Sequence, residues 1–311
     1  MAANVETMFY VGREPFWHGL GDPIDEAPNS AVALEKSRLN WWVDSMPISV
    51  NGIEVPGYKA NVRSTDMSIL GIVSDRYKVV QNKEAFAFLD DILEMEMGAV
   101  FETAGSLNNG KRVWMLAHLP PEKILGDDIV PYMVFTNGHD GTNAVQICQT
   151  PIRVVCQNTL NMALRAAKRS WTFRHMGNMA DKKIEAQIAL DITGKYIEKL
   201  RAKAEDFVAK QVSSDKLAKI LDEVFPLDNE ASDRVKANVF QMRDTFMTTW
   251  ETTEDILNFK STAWGVYQVA SDMATHYTPL RLTKNAKEKR FESFLNGNKL
   301  LDRFQEVLET V

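Results

Sequence analysis

The sequence predicts an α+β protein: an antiparallel β-sheet domain with helices on one side, followed by an all-helical C-terminal domain. Three observations predict it. Period-two apolar runs separated by Asn/Gly turns recur between Trp41 and Cys156, strand-like runs stop after Gly177, and Asp181 to Gln211 reads as one long amphipathic helix. The expected division is residues 1–178 for the α+β domain with an irregular N-terminal arm, and 179–311 for the helical domain.

Residues 1–30 are rich in Gly, Pro and acids, and Phe16 and Trp17 offer the arm an apolar anchor or a means of docking on a neighbouring subunit. Trp41 to Val50, Ile53 to Ala60 and Ser68 to Val73 are short strands, the first two joined at Asn51-Gly52, and Tyr77-Lys78-Val79-Val80 reads as a further strand. Asn82 offers an N-cap to a helix over Lys83 to Met97, whose Phe86, Leu89, Leu93 and Met97 share a face. Two hairpins follow: Ala99 to Leu107 with Lys111 to Leu119, and Ile129 to Thr136 with Asn143 to Cys156. Pro151 marks the last strand as an edge or a bulge. A helix is expected from Asn158 or Thr159 to Lys168 or Trp171.

In the helical domain, the long helix carries Ile184, Ile188, Ile192, Leu200, Ala204, Phe207 and Val208 as its stripe and spans about 45 Å. Shorter helices are expected near 215–224, 232–250, 261–277, 286–296 and 298–309, punctuated by Pro226, Pro279 and Gly297.

At 311 residues with 45% hydrophobic and 25% charged side chains, the chain is globular in composition. Its net charge of −6 does not imply wholesale binding to a polyanion, so any nucleic-acid site must be a local basic patch on an acidic body. The N-terminus, MAANVETMFYVGREPFW, lacks the apolar stretch of a signal sequence, and no run is long enough to span a membrane. The expected location is the cytoplasm.

No catalytic constellation emerges. Cys148, Cys156 and His139 are close in sequence, but both cysteines fall on or beside a strand with apolar neighbours, and buried structural cysteine is the favoured reading. His18, His118, His139, His175 and His276 are scattered without metal-ligand spacing, so neither a metal nor a cofactor is expected. Asn137-Gly138-His139-Asp140-Gly141 reads as a turn, with positive φ expected at Gly138 and Gly141, or as a ligand-facing loop.

The most informative stretch is Arg153 to His175. It contains Arg153, Arg165, Lys168, Arg169, Arg174 and His175 and no acid, a local reversal in an acidic chain. On a helix, Leu160, Leu164, Ala167 and Trp171 cluster on one side, with Arg165, Lys168 and Arg169 beside them. Trp171 and Phe173 interleave with the cations, the pattern of a single-strand binder that stacks bases beside a cationic groove. A solvated basic face with Trp171 in the core accounts for the same residues.

Four segments carry a family resemblance. They are Trp17 to Gly21, Gly71 to Asn82, Asn137 to Gly141 with Thr150 to Leu160, and Trp264 to Ala270. On these the chain resembles the uncharacterised phage/plasmid-like protein family, which implies a mobile-element setting in a bacterial host and no established activity. The order helix, hairpins, basic helix over 83–171 is also similar to the core of the Redβ/Rad-type single-strand annealing proteins, which pair complementary strands without ATP as rings or filaments. The expected function is therefore single-stranded DNA binding and annealing in recombination, by a homo-oligomer without enzymatic chemistry. Arg153, Arg165, Lys168, Arg169 and Arg174 would contact phosphates and Trp171 or Phe173 would stack on bases. The rivals are an interaction protein acting against a host defence component, and an enzyme using Cys156 or His139.

Overall fold

The computed structural model describes residues 6–11, 22–26, 29–95, 99–141, 146–153, 170–172, 179–228, 230–276 and 298–311. Within them lie two sheets and a set of helices, an α+β arrangement.

The larger sheet has eight strands. These are β1 (Met8–Val11), β2 (Asp22–Ile24), β6 (Val100–Leu107), β7 (Arg112–His118), β8 (Glu122–Ile124), β9 (Asp127–Gly138), β10 (Gln146–Arg153) and β11 (Ser170–Thr172), in the order β11-β10-β9-β7-β6-β1-β2, with β8 also on β9. All pairs are antiparallel except β1 with β2, so the sheet is mixed at that edge. Both strands fall within residues 1–30, the segment expected to be an irregular arm. The smaller sheet is β3 (Val43–Val50), β4 (Ile53–Arg63) and β5 (Ile69–Ser74), antiparallel throughout.

Turn chemistry sets the hairpins. Asn51 and Gly52 both have positive φ, as a two-residue hairpin turn requires, and Asn108, Asn109 and Gly110 do likewise between β6 and β7. Leu125 and Gly126 make the same kind of turn between β8 and β9, a hairpin concealed in the sequence by a leucine at positive φ.

The helices are α1 (Ser30–Lys36), α2 (Asn82–Met95), α3 (Met179–Ala209), α4 (Ser214–Val224), α5 (Asp233–Thr252), α6 (Ala263–His276) and α7 (Lys299–Thr310), with a 3-10 turn over Glu254–Phe259. α1 was not anticipated; Asn29 caps it, its Oδ1 accepting from the Val32 amide at 3.0 Å.

Two apolar clusters hold the chain together. In the first, Phe9, Ala104, Met115, Phe135 and Ile147 form a row across the large sheet and meet Phe86, Leu89 and Ile92 of α2, Ala33 and Leu34 of α1, and Ala189 of α3. The second joins Tyr196, Ile197, Leu200, Ala204 and Phe207 of α3 to α4, α5, α6 and α7, and reaches back to Ile124 and Ile129 of the sheet. Helix α3 thus belongs to both. Its first half meets the sheet through small residues, Ala189 and Thr193, and Gln149 Nε2 of β10 donates to Thr193 Oγ1 at 2.7 Å. Ile188, expected on the buried stripe, is exposed instead, because close approach to the sheet selects the Ala189–Thr193 side.

Two further expectations are corrected. Tyr77 to Val80 is not a strand: the Val80 carbonyl is taken by the Asn137 side chain, not by a ladder partner. Trp171 does not end a helix but lies in β11, paired with Ile147, where its β propensity and the free edge of β10 outweigh the helical spacing.

Candidate functional site

The loop Asn137–Gly141 leaves β9 and enters the gap between the two sheets, where it meets the segment Gly71–Asn82. Tyr77 Oη donates to the Gly138 carbonyl at 2.9 Å, and Asn137 Nδ2 donates to the Val80 carbonyl at 2.9 Å. Gly71 of β5 lies so close to the Asp140 backbone that a Cβ there would overlap it. Gly141 has φ +79°, and a Cβ on it would sit 2.9 Å from Val73 Cγ1. Gly138, in contrast to expectation, is an ordinary strand residue opposite Arg112. Two of the segments singled out above are therefore one three-dimensional unit.

His139 is its centre and is fully buried. Its amide donates to the Lys111 carbonyl at 2.8 Å, and its carbonyl accepts from Asn61 Nδ2 of β4 at 2.8 Å. Asn82 Nδ2 donates to the Leu39 carbonyl at 3.0 Å, which turns Asn82 Oδ1 toward His139 Nε2, 2.9 Å away. Nε2 must then carry the proton, leaving Nδ1 as a bare lone pair with no partner among the described residues. Protonating Nδ1 would create a buried cation without an acceptor. Burial accordingly pulls His139 down to about 4, with Asp140 opposing the shift. Asn82 was expected to cap α2, but its side chain is spent on this network; Gln81 precedes the helix instead, its carbonyl accepting from the Ala85 amide.

A charged anchor continues the network. Trp41 meets His139 edge-on at 5.3 Å, and the Arg63 guanidinium stands over Trp41 at 5.7 Å. Arg63 holds Asp66 through Nε and Nη2 and Glu6 through Nη1, so the start of β1 is tied to the small sheet. The Arg63 bonds hold the Asp66 carboxyl well below the usual carboxylate range. The unit is a latch between sheets, in which His139 Nδ1 is left without a partner among the described residues. Asn137 and Gly138 close β9, and His139 to Gly141 pack against the small sheet.

A second perturbed group lies on β6. Glu102 is the extra residue of a bulge between Phe101 and Thr103, and Tyr132 Oη donates to its Oε2 at 2.7 Å. Burial pushes Glu102 up to about 7, against the Tyr132 bond. His118 stacks obliquely beside Tyr132 at 5.7 Å, and burial lowers it.

The basic stretch is only bracketed. Arg153 ends β10 opposite Ile129, and Trp171 sits in β11 opposite Ile147; for both, only the backbone is described. Six residues of strand separate these positions, roughly 20 Å along the sheet edge. Arg165, Lys168, Arg169, Phe173 and Arg174 lie outside the described residues, as does Cys156. Among the described residues no group of three His, Cys, Asp or Glu could hold a metal ion, and no helix is long and apolar enough to cross a membrane.

The family described as domain of unknown function (DUF932) matches residues 69–295, nearly three quarters of the chain. The chain belongs to the DUF932 family. The DUF932 match begins at the first residue of β5, so it takes in the Gly71–Asn82 and Asn137–Gly141 segments of the latch, while the Arg63 anchor and β1 precede it. Neither the curated proteins nor the solved structures contain a match to this chain. Trp264 to Ala270, another segment of the resemblance within DUF932, lies in α6, and each of its residues is buried, which gives it a core role.

Proposed function

We propose that this DUF932 chain binds single-stranded DNA and anneals complementary strands without ATP, as a homo-oligomer serving phage or plasmid recombination in the bacterial cytoplasm. The observation that carries the reading is the acid-free run Arg153–His175 in a chain of net charge −6. Arg153 closes β10 and Ser170, within the run, opens β11, the two outermost strands at one edge of the large sheet. Arg153, Arg165, Lys168, Arg169 and Arg174 supply phosphate contacts, and Trp171 or Phe173 supplies the stacking platform.

The test is fluorescence anisotropy with labelled single- and double-stranded oligonucleotides, followed by quenching on pairing of two complementary strands. Preferential single-strand binding and ATP-independent annealing are expected. Absence of single-strand binding at low salt contradicts the proposal.

A second reading, a non-enzymatic interaction protein acting against a host defence component, is favoured by one observation. The small sheet exposes large apolar side chains, including Tyr58, Ile69 and Ile72, with Trp42 just before it. Capture of a host protein together with a lack of DNA affinity would select it.

A further inference from the structure

Strand alternation gives the small sheet two different faces. Asn61, Gly71 and Val73 point inward, to His139, Asp140 and Gly141. The cross-strand row Met46–Ala60–Ile72, with Val62 paired to Ile69 and Tyr58 to Ser74, lies on the outward face, where the central-strand residues Ala60 and Val62 are buried and Tyr58, Ile69 and Ile72 are exposed. Trp42, just before β3, and Met67, in the β4–β5 turn, border it. Trp42, Tyr58, Met67, Ile69 and Ile72 are each more than half exposed. In contrast, the large sheet buries both its faces: Met115 and Phe135 on one, Trp114, Leu116 and Val134 on the other. Exposed apolar residues such as Ile188, Phe240 and Leu257 lie elsewhere, on helical segments.

We infer that this outward face is the surface on which a second copy of the chain docks, face to face about a two-fold axis. The face carries Asp44 as its one charge in the paired rows, so a polyanion finds no cation there, whereas a second copy brings equal apolar area and little charge to desolvate. Aromatic side chains carry about 150–250 Å² each, and Ile and Met lie toward the low end of that range or below it. At their exposures the five offer roughly 500–600 Å² per copy, so a pair with its polar rim buries on the order of 1,200 Å², enough for a specific interface.

Pairing through the β3 edge is disfavoured. Pro47 has no amide to donate, the ladder is irregular between Pro47 and Ser49, and the Gln81 side chain bonds both the amide and the carbonyl of Val43 at 2.9 Å. Face-to-face packing, as in a sandwich, puts the sheets about 10 Å apart. This surface does not depend on the DNA reading; if that reading holds, it supplies one contact of the oligomer.

The test is light scattering coupled to size-exclusion chromatography on the full chain, across a concentration series. A mass near twice 35.2 kDa is expected, falling to 35.2 kDa for both Ile72→Glu and Tyr58→Lys. Because both side chains are exposed, each variant should keep the wild-type circular dichroism and melting curve. Phe240→Glu, on the exposed side of α5, should leave the dimer intact. A wild-type monomer at every concentration overturns the inference and passes the face to another partner. Dimers that survive both face variants, or that break only with Phe240→Glu, overturn it as well.

Discussion

His139, fully buried, and Glu102, partly buried, are ionisable residues whose neutral forms the fold prefers, and they respond to pH with opposite signs. For His139 the native value, about 4, lies below the ordinary 6.5. Its contribution to stability is therefore complete above 6.5 and is lost as pH falls through 4. For Glu102 the native value, about 7, lies above the ordinary 4.5, so its contribution is complete below 4.5 and is lost as pH rises through 7. Each is on the order of 3 kcal/mol across its window. In the wild type the two slopes oppose each other between pH 4.5 and 6.5. Urea unfolding at a series of pH values should show Glu102→Gln gaining stability from pH 4 to 6.5 and His139→Gln losing it from pH 4.5 to 7. Parallel profiles for the two variants would refute this assignment. At Gly141, the positive φ and the Val73 contact predict that Gly141→Ala destabilises by about 1–3 kcal/mol. Thermal melts read the loss, and an unchanged melting temperature would mean the turn tolerates a side chain.

Among elements, the hairpins were legible because their turns are spelled in Asn and Gly, as at Asn51-Gly52 and Asn108 to Gly110. The β8–β9 hairpin was not, because Leu125 disguises its turn. Trp171 misled because a helical spacing and a strand's aromatic content coexist in one segment, and only the free edge of β10 decides between them. The long helix was legible in extent but not in facing. Ile188 outranks Ala189 in hydrophobicity, yet the sheet accepts the smaller residue. Leu200→Ala, in the second cluster, should therefore cost about 2–5 kcal/mol, while Ile188→Ala should stay within about 0.5 kcal/mol. Chemical denaturation distinguishes the two, and equal losses would show that the packed side of α3 has been misassigned.

At the scale of the molecule, the latch was half legible. Its two segments stood out by resemblance, but nothing local joins His139 to Asn82, Asn61 and Trp41, which lie 57 or more residues away. A histidine in a glycine-bounded loop reads as accessible until the fold closes over it. The basic stretch is the reverse case: its charge is plain in the sequence, while of its residues the structure describes only Arg153 in β10 and Ser170–Thr172 in β11.

That stretch carries the central claim, and the salt dependence of DNA binding tests it most directly. Each phosphate neutralised on a single strand adds about −0.7 to the slope of log affinity against log salt. If Arg165, Lys168 and Arg169 each engage one phosphate, replacing all three with Ala makes the slope shallower by about 2 and weakens binding at low salt, with the melting curve retained. Anisotropy titrations of wild type and triple variant at several salt concentrations give both slopes. A wild type that binds single strands with the steeper slope supports the account; an identical slope in the variant, or no wild-type binding at low salt, contradicts it.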